Sequence, residues 1–87
     1  MKSNETRILG VLVKSRQNNA VTVQNILTSF GCSIKTRLGL HDVNENVCSS
    51  SGLILLELTG DINEMSKLEN ELLKVDGVEV QRMIFNN

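Results

Sequence analysis

Residues 8–13 read ILGVLV, an unbroken run without a charged or polar side chain. A near-continuous apolar run of this length is typical of a strand that is buried on both faces. A second run of the same kind covers residues 53–58 and is interrupted only by Glu57. The two runs therefore predict two strands at the centre of a sheet.

A helical pattern follows the first of these strands. Its apolar residues recur at i, i+3, i+4 and i+7, which places them on one side of a helix. They are Val23, Ile26, Leu27 and Phe30. Asn18 or Asn19 is expected to cap the start of this helix, and Gly31 to end it in a left-handed conformation.

A second helical pattern follows the second apolar strand. Asp61 is expected to be its N-cap, with Glu64 three residues later in the manner of a capping box. The apolar stripe consists of Met65, Leu68, Leu72 and Val75. Gly77 is expected to end the helix, and residues 78–85 are predicted to form a last strand.

Between the two apolar runs, residues 34–41 alternate in character. Ile34, Thr36, Leu38 and Leu40 are expected on one face of a half-buried strand, and Lys35, Arg37, Gly39 and His41 on the other. Residues 42–52 are polar and end in CSSSG, so they are predicted to form a flexible connection.

The predicted order is strand, helix, strand, strand, helix, strand. Right-handed crossovers then place both helices on one face of a four-stranded antiparallel sheet, with the first and third strands in the centre. The fold class is therefore α+β, a ferredoxin-like βαββαβ sandwich in which residues 1–87 form one domain. Because the central strands are apolar on both faces, the sheet face away from the helices is expected to be an interface. Face-to-face dimerisation, or edge pairing through a strand, would cover it.

Composition excludes several classes of function. The chain has 87 residues and a net charge of −1, with no Trp and no Tyr, so neither a basic field nor stacking aromatics favour nucleic acid. No apolar stretch is long enough for a membrane span or a signal peptide, and the two cysteines form no CxxC pair. A cytoplasmic location is expected. With one histidine and no phosphate-loop motif, the chain is predicted not to be an enzyme.

The segment from His41 to Cys48 collects four side chains that can ligate a metal: His41, Asp42, Glu45 and Cys48. Histidine and cysteine suit zinc, nickel or copper, and a second subunit could complete such a site. The alternative is a polar hairpin loop in which these side chains occur without a joint role.

Two further groups of residues are candidates for binding a small ligand. Arg37 could hold a carboxylate or phosphate while Gly39 lets a ligand approach the backbone, although a solvent-facing edge strand also carries such charges. Arg16, Asn18 and Asn19 lie where the free N–H groups of the first helix could receive an anion. Alternatively, the asparagines act only as a cap.

Three short segments resemble the family of regulators of iron-only hydrogenase systems. They are Arg37-Leu38-Gly39-Leu40, Gly60-Asp61 and Val75-Asp76-Gly77-Val78. The resemblance implies an ACT-like, cytoplasmic regulatory domain that forms dimers or tetramers and takes a small-molecule effector at a subunit boundary. From residue 34 onward the chain is also similar to the C-terminal domain of nickel-responsive repressors, which implies metal sensing through His41 and Cys48 as the alternative.

Overall fold

The computed structural model describes the backbone of residues 5–14, 16–43 and 48–86, and their side chains except at 16–18, 40–43 and 48–51. The strands are β1 (Glu5–Val13), β2 (Ile34–Val43), β3 (Cys48–Leu58) and β4 (Val78–Asn86). The helices are α1 (Arg16–Ser29) and α2 (Ile62–Leu73). The predicted order of elements is confirmed.

The four strands form one antiparallel sheet in the order β2-β3-β1-β4. The two apolar runs are thus the central strands, as predicted. In the register of the sheet, Leu9 of β1 lies opposite Leu56 of β3 and Arg82 of β4. Directly opposed residues of an antiparallel pair share a face, so this register assigns each strand residue to one side of the sheet.

The core lies between the sheet and the two helices. It consists of buried apolar side chains from both layers: Leu9, Val11, Val13, Val23, Leu27, Leu56, Leu58, Met65, Leu68 and Leu72. Ile26, Phe30 and Val75 pack against this cluster, so both predicted helical stripes face the sheet. Full burial of one such leucine stabilises the fold by about 1.5–3 kcal/mol.

The start of α2 is capped as predicted. The Asp61 side chain accepts a 2.8 Å hydrogen bond from the backbone N–H of Asn63. This bond satisfies one of the N–H groups that a helix leaves without an internal partner. Glu64 lies in the first turn, where its negative charge is favourable.

The start of α1 differs from the prediction. Because α1 already begins at Arg16, Asn18 and Asn19 lie inside its first turns and neither precedes it as a cap. The side chain of Asn19 instead reaches back, and its Nδ2 donates to the carbonyl oxygen of Lys14 at 3.1 Å. The asparagine therefore stabilises the connection from β1 to α1.

The two glycines expected at helix ends behave differently. Gly31 opens a 3-10 turn, Gly31–Ser33, and its φ is not positive, so the left-handed prediction is wrong there. Gly60 (φ 88°) and Gly77 (φ 79°) do take left-handed conformations. Gly77 lies in the turn between α2 and β4, three residues after the helix has ended at Lys74.

The regular alternation predicted for β2 is interrupted. The pairing with β3 shifts between Ile34 and Thr36, so one extra residue is accommodated there. Ile34 consequently packs against the core, whereas Thr36 and Leu38 lie on the opposite side of the sheet. A bulge moves every following side chain to the other face, which a period-two pattern cannot anticipate.

The predicted flexible connection over residues 42–52 is also wrong in part. β2 continues to Val43, and β3 begins at Cys48, which pairs with Val43. Strand pairing satisfies backbone groups whatever the side chains are, so the serines at 49–51 are compatible with a strand. Residues 44–47 lie outside the described part of the chain. Among the described residues, no helix is long and apolar enough to cross a membrane.

Candidate functional site

The sheet surface opposite the helices carries an uncovered apolar layer, which we call the open sheet face. By register its members with described side chains are Thr6, Ile8, Gly10, Leu12, Thr36, Leu38, Leu53, Leu55, Glu57, Glu79, Gln81, Met83 and Phe85. Leu38, Met83 and Phe85 are 52%, 53% and 53% exposed. A contiguous apolar surface of this kind is characteristic of an interaction site.

Gly10 creates a hollow in the middle of the open sheet face. It lies on β1 between Leu55 of β3 and Gln81 of β4. A Cβ atom placed at Gly10 would meet only the Leu55 Cδ2 and the Gln81 carbonyl oxygen, both at 3.9 Å. The space above this glycine can therefore receive a side chain from outside.

The carboxylate of Glu57, on the β3 side of the open sheet face, is paired with groups of its own chain. Oε1 of Glu57 accepts a 3.1 Å hydrogen bond from Oγ1 of Thr36. Its other carboxylate oxygen lies 3.8 Å from Nζ of Lys35, the residue at the β2 bulge. Glu57 thus has two partners of its own.

The carboxylate of Glu79, on the β4 side, is likewise paired with groups of its own chain. Glu79 accepts a 3.1 Å hydrogen bond from Nε2 of Gln81 and lies 3.5 Å from Nζ of Lys14. The Gln81 hydrogen bond, followed by the charge of Lys14, holds the pKa of Glu79 below its usual value of 4.5. Glu79 is therefore ionised at neutral pH.

Arg37 lies on the helix-facing side of β2, opposite Leu56. Its Nη2 donates a 2.6 Å hydrogen bond to Oε1 of Gln24 on α1. Gly39 follows on the same side, and nothing lies within 4 Å of a Cβ placed there. Arg37 therefore joins an edge strand to α1, and the open space at Gly39 leaves room for a ligand beside it.

The predicted ligand-binding residues whose side chains are described lie on different elements. Asn19 bonds to Lys14 and lies against Gly77, which precedes the edge strand β4. Arg37 lies on the other edge strand, β2, and its side chain contacts α1 at Gln24. The side chains of Arg16 and Asn18 lie outside the described part of the structure. The ligand roles of all five residues, including Gly39, stay predictions.

The metal prediction rests on residues whose side chains are not described. The backbone register pairs His41 with Gly52 and Val43 with Cys48, so both candidates lie on neighbouring strands at the same end of the hairpin. Among the described residues, no group of three or more histidines, cysteines, aspartates or glutamates is arranged to hold a metal ion. The metal role of His41 and Cys48 stays a prediction.

The sequence did not predict a buried charge cluster around Arg7. Arg7 is only 5% exposed, and its Nε donates to Oε2 of Glu5 at 2.8 Å. Its Nη1 lies 3.4 Å from the Ser66 hydroxyl and 3.7 Å from Oε1 of Glu69, and Arg82 approaches the same oxygen at 3.5 Å. The alternation along β1 could have indicated its burial, because Arg7 lies an even number of residues from the buried Leu9, Val11 and Val13 and so shares their face. The cluster ties α2 to the sheet.

The groove between the helices is shallow. Two adjoining depressions of about 240 and 310 Å³ share Phe30 and Glu71 in their walls. Glu71 accepts a 2.9 Å hydrogen bond from Nζ of Lys74, one turn along α2. The Glu71 carboxylate in the wall of the groove is therefore already paired within α2 and its C-cap.

The same arrangement of sheet and helices recurs in solved structures. An uncharacterised protein from Thermotoga maritima superposes with a TM-score of 0.82 and 26% sequence identity, covering 99% of this chain and 100% of that one. The ACT domain of GTP pyrophosphokinase from Chlorobium tepidum superposes with a TM-score of 0.65 and 15% identity, covering 90% and 96%. The fold is ACT-like.

The ACT-like fold is shared with a nitrogen regulatory PII-like protein as well. CPII from Thiomonas intermedia K12, bound to ADP, AMP and bicarbonate, superposes with a TM-score of 0.56 and 10% identity, covering 100% of this chain and 98% of that protein. No family model and no curated protein matches the sequence. The comparisons thus establish the ACT-like, ferredoxin-like fold.

Proposed function

We propose that this chain is a small regulatory domain that self-associates, binds a small effector and catalyses no reaction. The observation that carries the proposal is the open sheet face, an apolar surface on the uncovered side of an ACT-like sheet. A cytoplasmic site of action is part of the proposal, and the exposed free thiol of Cys32 fits a reducing compartment.

The effector is proposed to be a small anion that binds near a subunit boundary. Arg37, on the helix-facing side of the edge strand β2, supports the anionic character of the effector, because its bond to Gln24 uses only one of the five N–H donors of the guanidinium. The space at Gly39 lets a ligand approach the β2 backbone. Arg16, Asn18 and Asn19 are the further candidates at the start of α1. Since CPII binds ADP and AMP, these nucleotides are reasonable first probes.

Native mass spectrometry at micromolar concentration tests both parts of this proposal. We expect dimers or tetramers, and an added mass of one nucleotide per chain when AMP or ADP is supplied. Arg37→Ala should remove the added mass and leave the oligomer, with Lys67→Ala on the exposed side of α2 as the control. A strictly monomeric chain would contradict self-association, and nucleotide binding that survives Arg37→Ala would contradict the proposed site.

The regulated target is proposed to be an iron-only hydrogenase system. The support is the resemblance of residues 37–40, 60–61 and 75–78 to that family of regulators. Deletion of the gene should change the amount or the activity of the hydrogenase in cells that contain one. Unchanged hydrogenase transcript and activity after deletion would remove this target.

A metal-binding sensor or carrier is the second candidate. It is favoured by the register that brings His41 and Cys48 to the same end of neighbouring strands. Zinc and nickel content after equilibrium dialysis should then fall to the background level in the His41→Ala, Cys48→Ala double variant. Equal metal content in the parent and the variant would exclude these ligands.

A further inference from the structure

We propose that the open sheet face is the contact between two copies of this chain, packed sheet to sheet, with an apolar side chain of each copy seated in the hollow at Gly10 of the other. This inference rests on the proposed function only for the statement that the chain self-associates. It adds which surface is used and what occupies it.

Pairing through an edge strand would leave the apolar side chains of the central strands uncovered. Ile8 and Leu12 of β1 and Leu53 of β3 lie one or two strands away from either edge. In addition, β2 departs from regular pairing at two positions, and Lys35 lies at the first of them. Bulges and lysines are features that discourage a strand from pairing at an edge. Face-to-face packing covers all of these apolar residues at once.

The flat area of the open sheet face comes close to the lower limit of what a specific dimer covers on each partner. Its width is four strands and its length is about that of β1, which has 9 residues. At about 4.8 Å per strand and 3.3 Å per residue, the face measures roughly 19 by 30 Å, or about 570 Å² before the relief of the side chains is counted. Specific interfaces cover about 600–1,000 Å² on each partner.

The charges on the open sheet face are compatible with a second apolar surface. An unpaired carboxylate would oppose docking, because its desolvation would not be compensated. Glu57 is already bonded to Thr36, and Glu79 to Gln81. Each carboxylate also has a lysine of its own chain within 4 Å. The second copy therefore need not supply any counter-charge.

The hollow at Gly10 specifies how the two faces fit. An added Cβ would have no neighbour closer than 3.9 Å, so the glycine is not required by crowding within its own chain. Its φ is not positive, so the backbone does not require glycine either. A glycine in the middle of a central strand weakens that strand. The close approach of a side chain from the second copy accounts for the glycine at position 10.

Two leucines with equal exposure provide a matched test. Leu38 on the open sheet face and Leu73 at the end of α2 are both 52% exposed, so a lysine at either site leaves the monomer's fold intact. Sedimentation velocity across a concentration series should show that Leu38→Lys weakens dimerisation by about 100-fold or more, since unpaired charges then meet in the contact. Leu73→Lys should leave the dissociation constant unchanged, and far-UV circular dichroism should be the same for both variants.

Equal dissociation constants for Leu38→Lys, Leu73→Lys and the parent would overturn the inference while leaving self-association in place. A parent chain that stays monomeric would contradict both the inference and the self-association on which it rests. Gly10→Ala tests the hollow separately, because its methyl group enters the space that the partner's side chain needs. We expect it to weaken dimerisation about 10-fold, and an unchanged dissociation constant would exclude the seated side chain.

Discussion

Replacing Gly77 by alanine should destabilise the fold at one defined point, the junction of the α2–β4 turn with the start of α1. Gly77 has a φ of 79°, and its carbonyl oxygen accepts a 2.8 Å hydrogen bond from the backbone N–H of Lys14. A Cβ added at Gly77 would lie 2.5 Å from Nδ2 of Asn19. The substitution therefore introduces both a backbone penalty and a collision.

The two penalties can be estimated separately. A left-handed conformation costs a residue with a Cβ about 1–2 kcal/mol. The collision displaces the Asn19 side chain from the Lys14 carbonyl oxygen and removes a hydrogen bond worth about 0.5–1.5 kcal/mol. Gly77→Ala should therefore lower the free energy of unfolding by about 1.5–3.5 kcal/mol. Gly60→Ala is the matched control, because Gly60 has a φ of 88° but nothing within 4 Å of its Cβ position.

Urea unfolding at one fixed protein concentration measures these values. The chain has no Trp and no Tyr, so far-UV circular dichroism is the suitable signal. Gly60→Ala should show only the backbone penalty, and Gly77→Ala should exceed it. When Asn19 is first replaced by alanine, the cost of Gly77→Ala should fall toward that of Gly60→Ala, and the Lys14 carbonyl oxygen, 3.3 Å from the added Cβ, accounts for any remaining difference. Equal costs for the two glycine substitutions in the parent chain would refute the collision argument.

Three other perturbations have defined outcomes. Leu72→Ala should lower the free energy of unfolding by about 2–5 kcal/mol, because Leu72 is fully buried in the core, and a loss below 1 kcal/mol in urea titrations would contradict this. Arg7→Met should lower the free energy of unfolding by about 1–3 kcal/mol, because Glu5 and Glu69 each lose one ion-pair partner while Glu69 keeps Arg82, and a neutral or stabilising result would show that the cluster contributes nothing. The pKa of Glu79 is lowered by Gln81 and then Lys14, so its stabilising contribution is present above pH 4.5 and lost as the pH falls through the lower folded value. The stability difference between the parent and Glu79→Gln should therefore shrink below pH 4.5, and a difference that grows there would reverse this assignment.

Periodicity predicted most of the fold, because the buried face of each helix or strand selects apolar residues at the period of that element. The run over residues 8–13 is apolar on both faces, and it lies where one face meets the core and the other forms the open sheet face. The helical stripe that includes Leu68 could be predicted for the same reason. Asp61 could also be predicted, since a cap depends only on its immediate neighbours.

Features that depend on contacts between distant segments could not be predicted. The β2 bulge after Ile34 arises from its pairing with β3, and it reverses the faces of the residues that follow. Arg37 therefore contacts Gln24 on α1, a bond that alternation within one strand does not reveal. The Arg7 cluster joins segments that lie far apart in the chain, because Arg7 of β1 and Arg82 of β4 both approach Glu69 of α2. Local pattern carries no signal for such contacts.

The adjacency of β1 and β4 affects how the chain folds. β1 pairs with β4 along its whole length, from Glu5 opposite Asn86 to Val13 opposite Val78. Until β4 has paired with it, β1 is an edge strand with one row of unpaired backbone groups. Such pairing between distant segments slows folding and prolongs the exposure of apolar strands. The chain is therefore most prone to aggregate through β1 before β4 has paired with it.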